Sequence, residues 1–267
     1  MRIECVKGGF IQYYENNIIE KITATGQTIQ DGTRTVNFQG ETFEVSNSKF
    51  IGTCTIHFHN KPPKEFDNID FCTAYNSQYG IPVSEDGSKL FVGSWEWEKG
   101  LQAYDTEMGE LLWRIRQGKS RNVFVYSDYI IVLKDLKYIY KVDIASGKIL
   151  GEIKCYDGTE LLDLGAPYIA INRPVGNLTI VDTNQMTVIK KYGGKILNPS
   201  KHLSLYIDEV SIKDNKLIIS GSEPAGDGSL RHFKDKVIDE ALFEDSTIAI
   251  PPPRNNVEQV SNKAASQ

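Results

Sequence analysis

The chain has 267 residues, 40% of them hydrophobic and 24% charged, with a formal net charge of −5 and a pI near 5.5. That length suits one large domain, and the acidic balance argues against a general nucleic-acid binder, whose phosphate contacts need a basic surplus. No apolar signal-type segment follows Met1, no apolar run approaches a membrane span, and Cys5, Cys54, Cys72 and Cys155 show no paired spacing. Together these predict a soluble cytoplasmic protein with reduced thiols.

Residues 1–60 read as short strands. Runs at 10–14 and 18–22 flank the turn signal Glu15-Asn-Asn17, and runs at 35–38 and 41–45 flank Gln39-Gly40. This part is expected to form a first, irregular blade. Lys61-Pro-Pro-Lys64 breaks the pattern, because proline cannot donate to a ladder. One strand is expected at 69–75 within an otherwise polar stretch that runs to 79.

From residue 80 onward four strand-like runs, here lettered a to d, recur. They fall at 80–84, 89–94, 101–104 and 110–115, then at 122–126, 129–134, 138–142 and 148–154, then at 160–164, 168–172, 178–181 and 187–191. Asp105, Asp143 and Asp182 occupy one place between c and d, 38 and then 39 residues apart. An aspartate there accepts bonds from backbone N–H groups two or three residues on, and Gly109 or Gly147 takes the left-handed position that closes the hairpin. Met186 replaces that glycine in the third copy, so its turn is expected to be built differently. A fourth copy follows, with a and b at 202–211 and 216–220 and c at 229–233. After it, Phe233, Val237, Ile238, Ala241 and Leu242 fall at helical spacing, predicting a short amphipathic helix. A last strand is expected at 246–250, then a disordered tail, 251–267, beginning at Pro251. A lone four-stranded sheet leaves both faces bare unless neighbours stack on it. The period near 40 therefore predicts an all-β fold in one domain, 1–250: a β-propeller of five or six four-stranded antiparallel blades.

The stretch Ala103-Tyr-Asp-Thr-Glu-Met-Gly-Glu-Leu-Leu-Trp-Arg114 resembles the repeat of the quinoprotein-like (PQQ-like) and WD40-like β-propellers, in particular the quinoprotein-like pattern Tyr-Asp-x-x-x-Gly-x-x-x-Trp. The second copy, from Val142 to Leu150, matches it well and the third, from Val181 to Met186, less fully. Only Trp113 keeps the tryptophan; Gly151 and Lys190 stand in its place elsewhere. The resemblance implies the blade architecture. It does not extend to the quinone: neither an adjacent cysteine pair nor a ligand set for calcium and quinone maps onto this chain, and no cofactor is expected.

His57 and His59 would share one face of a strand, with Cys54 on the opposite parity. A polar hairpin face is favoured over a metal site, which needs three or four converging ligands. No Gly-x-Ser-x-Gly or His-Glu-x-x-His occurs, and Gly193-Gly-Lys-Ile196 lacks phosphate-loop spacing, so no catalytic residue is assigned. The informative segment is Gly93-Ser-Trp-Glu-Trp-Glu-Lys-Gly100. Trp95 and Trp97 are either interface anchors or rings docked on a neighbouring blade. The other b–c loops contribute Lys134, Arg173, Glu223 and Asp227, and the d–a connection adds Arg116 and Arg121. A face mixing aromatic, basic and acidic groups predicts a non-enzymatic, monomeric module for a protein partner, one whose charge is basic if it complements the chain. The most concrete version is a bacterial immunity-type protein that masks a toxin. The alternative is a propeller lactonase or lyase, with His202 and Glu160 near the central tunnel.

Overall fold

The computed structural model describes residues 2–6, 8–38, 41–70, 81–94, 99–116, 118, 120–135, 137–155, 160–173, 177–197, 205–225, 227 and 229–242. For residues 5, 28–38, 41–50, 68, 70, 121 and 195 the description is of the backbone only. The chain forms two compact units, Met1–Glu160 and Leu161–Gln267.

The first unit holds three antiparallel sheets. The first runs in the order β1 (Arg2–Val6), β2 (Gly9–Tyr13), β3 (Ile19–Phe38), β4 (Glu41–Phe58) and β5 (Lys64–Asp70). The runs expected at 18–22 and 35–38 are thus parts of one strand, β3, and the run expected at 41–45 extends to Phe58 as β4; the strand expected at 69–75 begins earlier, at Lys64, and its residues 71–75 lie outside the described residues. The second sheet comprises β6 (Lys89–Gly93), β7 (Leu101–Asp105) and β8 (Leu111–Ile115). Its strand a is reduced to a single bridge, Val83 to Leu90, beside Pro82, which has no N–H to give. The third sheet has four strands: β9 (Ser120–Val125), β10 (Tyr129–Lys134), β11 (Tyr138–Asp143) and β12 (Ile149–Lys154).

The second unit has a four-stranded sheet, β13 (Glu160–Asp163), β14 (Tyr168–Arg173), β15 (Asn177–Asp182) and β16 (Thr187–Tyr192). One helical turn follows, α1 (Gly194–Leu197), and then a sheet of β17 (Tyr206–Lys213), β18 (Lys216–Pro224) and β19 (Leu230–Ile238). Among the described residues this is an all-β, five-bladed propeller fold with almost no helix. The helix expected through Phe233, Val237 and Ile238 is strand instead. Lys234 and Asp235 together oppose Ser220, with Asp235 at φ 51° and its N–H on Ser220 Oγ at 3.1 Å. That bulge shifts the strand parity, so Phe233 and Ile238, five apart, both reach the core. Ala241 and Leu242 follow the strand; 246–250 and the tail lie outside the described residues.

The b strands explain why blades need neighbours. In β6, Leu90 and Val92 enter one cluster with Phe10, Ile22 and Ile56, while Phe91 enters another with Val123, Ile130 and Val142. A strand buried on both faces reads as a continuous apolar run, as the stretches 129–133 and 168–171 also do. In the second unit Leu162, Tyr168, Ile180, Leu205 and Leu217 form the corresponding core. Gln12 and Tyr14 fasten the first two blades: Ile81 N donates to Gln12 Oε1 at 2.7 Å, and Tyr14 Oη donates to the Ile81 carbonyl at 3.0 Å.

The repeated aspartates build the c–d turns. Asp105 Oδ1 accepts from the N–H groups of Glu107 and Met108, Asp143 Oδ1 from that of Ser146, and Asp182 Oδ1 from those of Asn184 and Gln185. The next residue along also recurs: the N–H groups of Thr106, Ile144 and Thr183 donate to the a–b turn carbonyls of Ser88, Asp128 and Pro167. Gly109, Gly147 and Met186 sit at φ 76°, 72° and 53°. The Met186 turn is therefore built on the same plan as the other two, with a methionine held in the left-handed region. Each d strand then carries the same bulge, at Leu112, Leu150 and Ile189.

Candidate functional site

In the first unit, the b–c loop between β6 and β7 leaves at Gly93 and returns at Gly100. Its neck is closed by Ser94 N–H donating to the Gly100 carbonyl at 2.9 Å. The same Ser94 accepts, through its carbonyl, the Ser120 N–H of the next blade, also at 2.9 Å. Glycine is required at both ends of the neck. A Cβ on Gly93 would come within 2.7 Å of the Ser120 carbonyl, and one on Gly100, at φ 55°, would collide with the Ile115 carbonyl. Trp95 and Trp97 themselves lie outside the described residues, as do 156–159.

Around that neck the structure gathers three of the expected residues. Arg116 is exposed directly after β8, whose Ile115 pairs with Leu101. Arg121 opposes Leu133, and Lys134 opposes both Ser120 and Tyr138, all at the same end of the third blade. Lys134 is half-buried with Nζ 5.2 Å from the Tyr140 ring centroid, and Tyr138 and Tyr140 stack at 6.2 Å. Burial and the nearby Glu152 carboxylate push the Tyr140 hydroxyl pKa up. One residue absent from the sequence-based set belongs here. Asp135 is held at φ 52°, and its carboxylate lies where a Cβ on Gly118 would go. The Asp-Leu turn between β10 and β11 was its only signal.

In the second unit Arg173 ends β14 and is half-buried, beside Asn172, whose Nδ2 donates to the Ile207 carbonyl at 3.0 Å. Glu223 is only 7% exposed and pairs with Arg231 across the β18–β19 hairpin, so its carboxylate is engaged within the blade. Asp227 is exposed and closes its loop by accepting from Ser229 N at 2.9 Å and Ser229 Oγ at 2.6 Å, bonds that lower its carboxyl pKa. The loop at 174–176 lies outside the described residues.

His57 Nε2 lies 3.3 Å from Thr23 Oγ1, and His59 Nε2 lies 2.9 Å from the Asn16 carbonyl. Cys54 is fully buried, and burial pushes its thiol up to about 12. Among the described residues no group of three or more His, Cys, Asp or Glu converges as a metal site. Glu160 opens β13 and His202 lies outside the described residues.

Blades of this build, with an Asp-anchored c–d turn and b strands buried on both faces, define a β-propeller fold. Solved structures to which the chain is similar include BamB from Moraxella catarrhalis, at 16% identity and TM-score 0.47 over 80% of this chain. The computationally designed Ika8 protein matches at 12% identity and TM-score 0.48, over 84% of this chain and 70% of its own. The β-propeller domain of Myceliophteria thermophila Cps50 (Swd1) matches at 10% and 0.43, over 65% and 62%. The chain spans 63% of the length of BamB. No protein-family model and no curated protein matches the sequence.

Proposed function

We propose that the protein is a non-enzymatic, cytoplasmic binding module that presents its b–c and d–a loops to a protein partner. The observation that carries this is the neck at Ser94, clamped at 2.9 Å to Gly100 and at 2.9 Å to the following blade. A loop fixed at its base loses little further entropy when its tip is ordered on a partner. Between the two ends of the neck the sequence carries Trp95 and Trp97, and Arg116 and Lys134 stand beside its base. Aromatic and arginine side chains are the usual anchors of protein interfaces. In its most specific form the module is an immunity-type protein that masks a toxin, and the net charge of −5 favours a basic partner.

The test is capture of partners from the native host, followed by affinity and melting measurements on Trp95→Ala and Trp97→Ala. Each should weaken binding by about 2 kcal/mol, roughly 30-fold, with the melting temperature unchanged. A sharp fall in melting temperature with both tryptophans shielded from iodide in the wild type would make the loop packed core and end this proposal.

A further inference from the structure

At the other end of β6 from the loop neck, the first unit has a cleft of about 330 Å³ between its second and third sheets. Ser84, Glu85, Asp86 and Lys89 line it from the a–b turn of the second sheet, and Ser127 and Ile144 line it from two turns of the third. These lining residues all have described side chains and all belong to the first unit. Asp86 is fixed in place. Ser84 Oγ donates to its Oδ1 at 2.6 Å, and the Ser88 N–H and hydroxyl donate to the same oxygen at 3.0 and 2.8 Å. Those bonds hold its carboxyl down to about 2, so it stays anionic at neutral pH.

Glu85 is its opposite. It is exposed, and among the described residues no hydrogen bond or ion pair engages its carboxylate. Lys89 Nζ donates to the Ser88 hydroxyl at 3.3 Å, and Asp128 stands at the rim, where Ser127 Oγ donates to it at 3.4 Å. Carboxylates thus outnumber the ammonium. The floor departs from the repeat. Thr106 and Thr183 each donate a hydroxyl to a carbonyl of their own a–b turn at 2.7 Å. Their counterpart here is Ile144, which keeps the backbone bond to the Asp128 carbonyl at 3.2 Å but has no hydroxyl to give. Ile144 is half-buried, so part of an aliphatic side chain is left in an acidic cleft. The methylene stem of a long cationic side chain covers such a surface while its head stays among the carboxylates.

We propose that this cleft receives an arginine side chain from a basic segment of a protein partner, with the guanidinium at Glu85 and Asp86 and the stem on Ile144. The unengaged Glu85 carboxylate has both oxygens free for one edge of the guanidinium fork, and Asp86 supplies a charge already held in position. Lysine offers a point charge without the fork and should bind more weakly. The volume lies near the lower limit of ligand pockets, about 300 Å³, which suits one side chain rather than a larger molecule. The net charge of −5 acts in the same direction, steering a basic segment towards the chain. The cleft and the loop neck stand at opposite ends of β6, so the inference does not rest on the loop proposal.

The test is an NMR titration of the full chain with a blocked pentapeptide that carries one arginine between pairs of glycines, up to about 20 mM. Amide shifts should cluster at 84–89, 127–128 and 144 and saturate with a Kd of about 1 mM. Raising the salt from about 0.05 to 0.5 M should weaken binding about threefold or more. Glu85→Gln should weaken it about tenfold with the melting temperature unchanged, since nothing in the fold holds that carboxylate. Ile144→Thr, which restores the side chain of the other two copies, should weaken it about threefold. Exchanging the peptide arginine for lysine should do the same. Shifts that fail to saturate or spread over the whole acidic surface, or binding indifferent to both Glu85→Gln and Ile144→Thr, would overturn the proposal. A lysine peptide that binds as tightly would overturn the assignment to arginine.

Discussion

Two c–d turns, one from each unit, differ in a single informative way. At Asp143 and at Asp182 the carboxylate gathers backbone N–H groups in the same manner, and the fifth residue stands at φ 72° in one and 53° in the other. Yet that residue is Gly147 in the first and Met186 in the second. Left-handed backbone geometry alone therefore does not demand glycine here. What differs is the cover. The Trp113 indole lies over Gly147, where a Cβ would meet its Cδ2 at 2.7 Å and Cε3 at 2.8 Å, and Trp113 Nε1 donates to the Ile144 carbonyl at 3.3 Å. Gly109 is an intermediate case, covered by Lys64, whose Nζ donates to the Met108 carbonyl at 3.1 Å and whose chain can withdraw. Gly147 is thus a seat for the tryptophan of the preceding blade as well as a turn residue.

Gly147→Val should break that seat and produce the largest effect. Left-handed strain in a β-branched residue and the clash with an aromatic ring together cost about 3 kcal/mol. Gly109→Val should cost about 1 kcal/mol, because only backbone strain remains once Lys64 moves aside. Urea midpoints of the two variants measure the difference, and equal losses would show that cover does not matter. Trp113→Ala should cost about 2 kcal/mol, less than a fully buried tryptophan, since Trp113 is half-buried. In the double variant the loss should fall short of the sum by about 1 kcal/mol, since valine has room once the ring is gone.

These turns were legible in the sequence because Asp, Gly and their spacing act locally. The bulges at Leu112, Leu150 and Ile189 were not, since two adjacent apolar residues read as ordinary strand until the pairing partner is known. The length of the β3–β4 hairpin was missed for a related reason. Asp31-Gly32 has turn chemistry, yet it is a bulge opposite Asn47 in a continuous hairpin, and only long-range register distinguishes the two. At the candidate site the glycines of the neck announced a loop, whereas the burial of Glu223 under Arg231 depends on a hairpin pairing that composition does not encode. Thr106 and Thr183 show the converse. Both hydroxyls bond a–b turn carbonyls at 2.7 Å, a regularity visible in the repeat once the turns are superposed.

Acid should expose how much the turn carboxylates contribute. Hydrogen bonds from the Ser146 hydroxyl and backbone hold the Asp143 carboxyl below its ordinary range, and Ser84 and Ser88 hold Asp86 down to about 2. A carboxyl whose pKa is lowered on folding stabilises the fold above its unfolded value, near 4, and loses that contribution as pH falls through its folded value. Asp86→Asn keeps the turn-forming side chain but removes the charge. Its melting temperature should lie below wild type at pH 7, and the gap should close between about pH 4 and pH 2. A gap independent of pH would place the effect in geometry rather than charge.

Met186→Gly should have the smallest effect and is the sharpest check on the comparison. Releasing a methionine from φ 53° recovers about 1 kcal/mol of left-handed strain. Glycine gives back a similar amount through the greater freedom of the unfolded chain. The two nearly cancel, so the urea midpoint should stay within about 0.5 kcal/mol of wild type, against the loss of about 3 kcal/mol at Gly147. Met186 is half-buried, which leaves room for a third contribution from its side chain. If Met186→Gly costs more than about 1 kcal/mol, the methionine is itself a packed residue. The two turns would then differ in what fills the same space, a side chain of their own in one and a borrowed indole in the other.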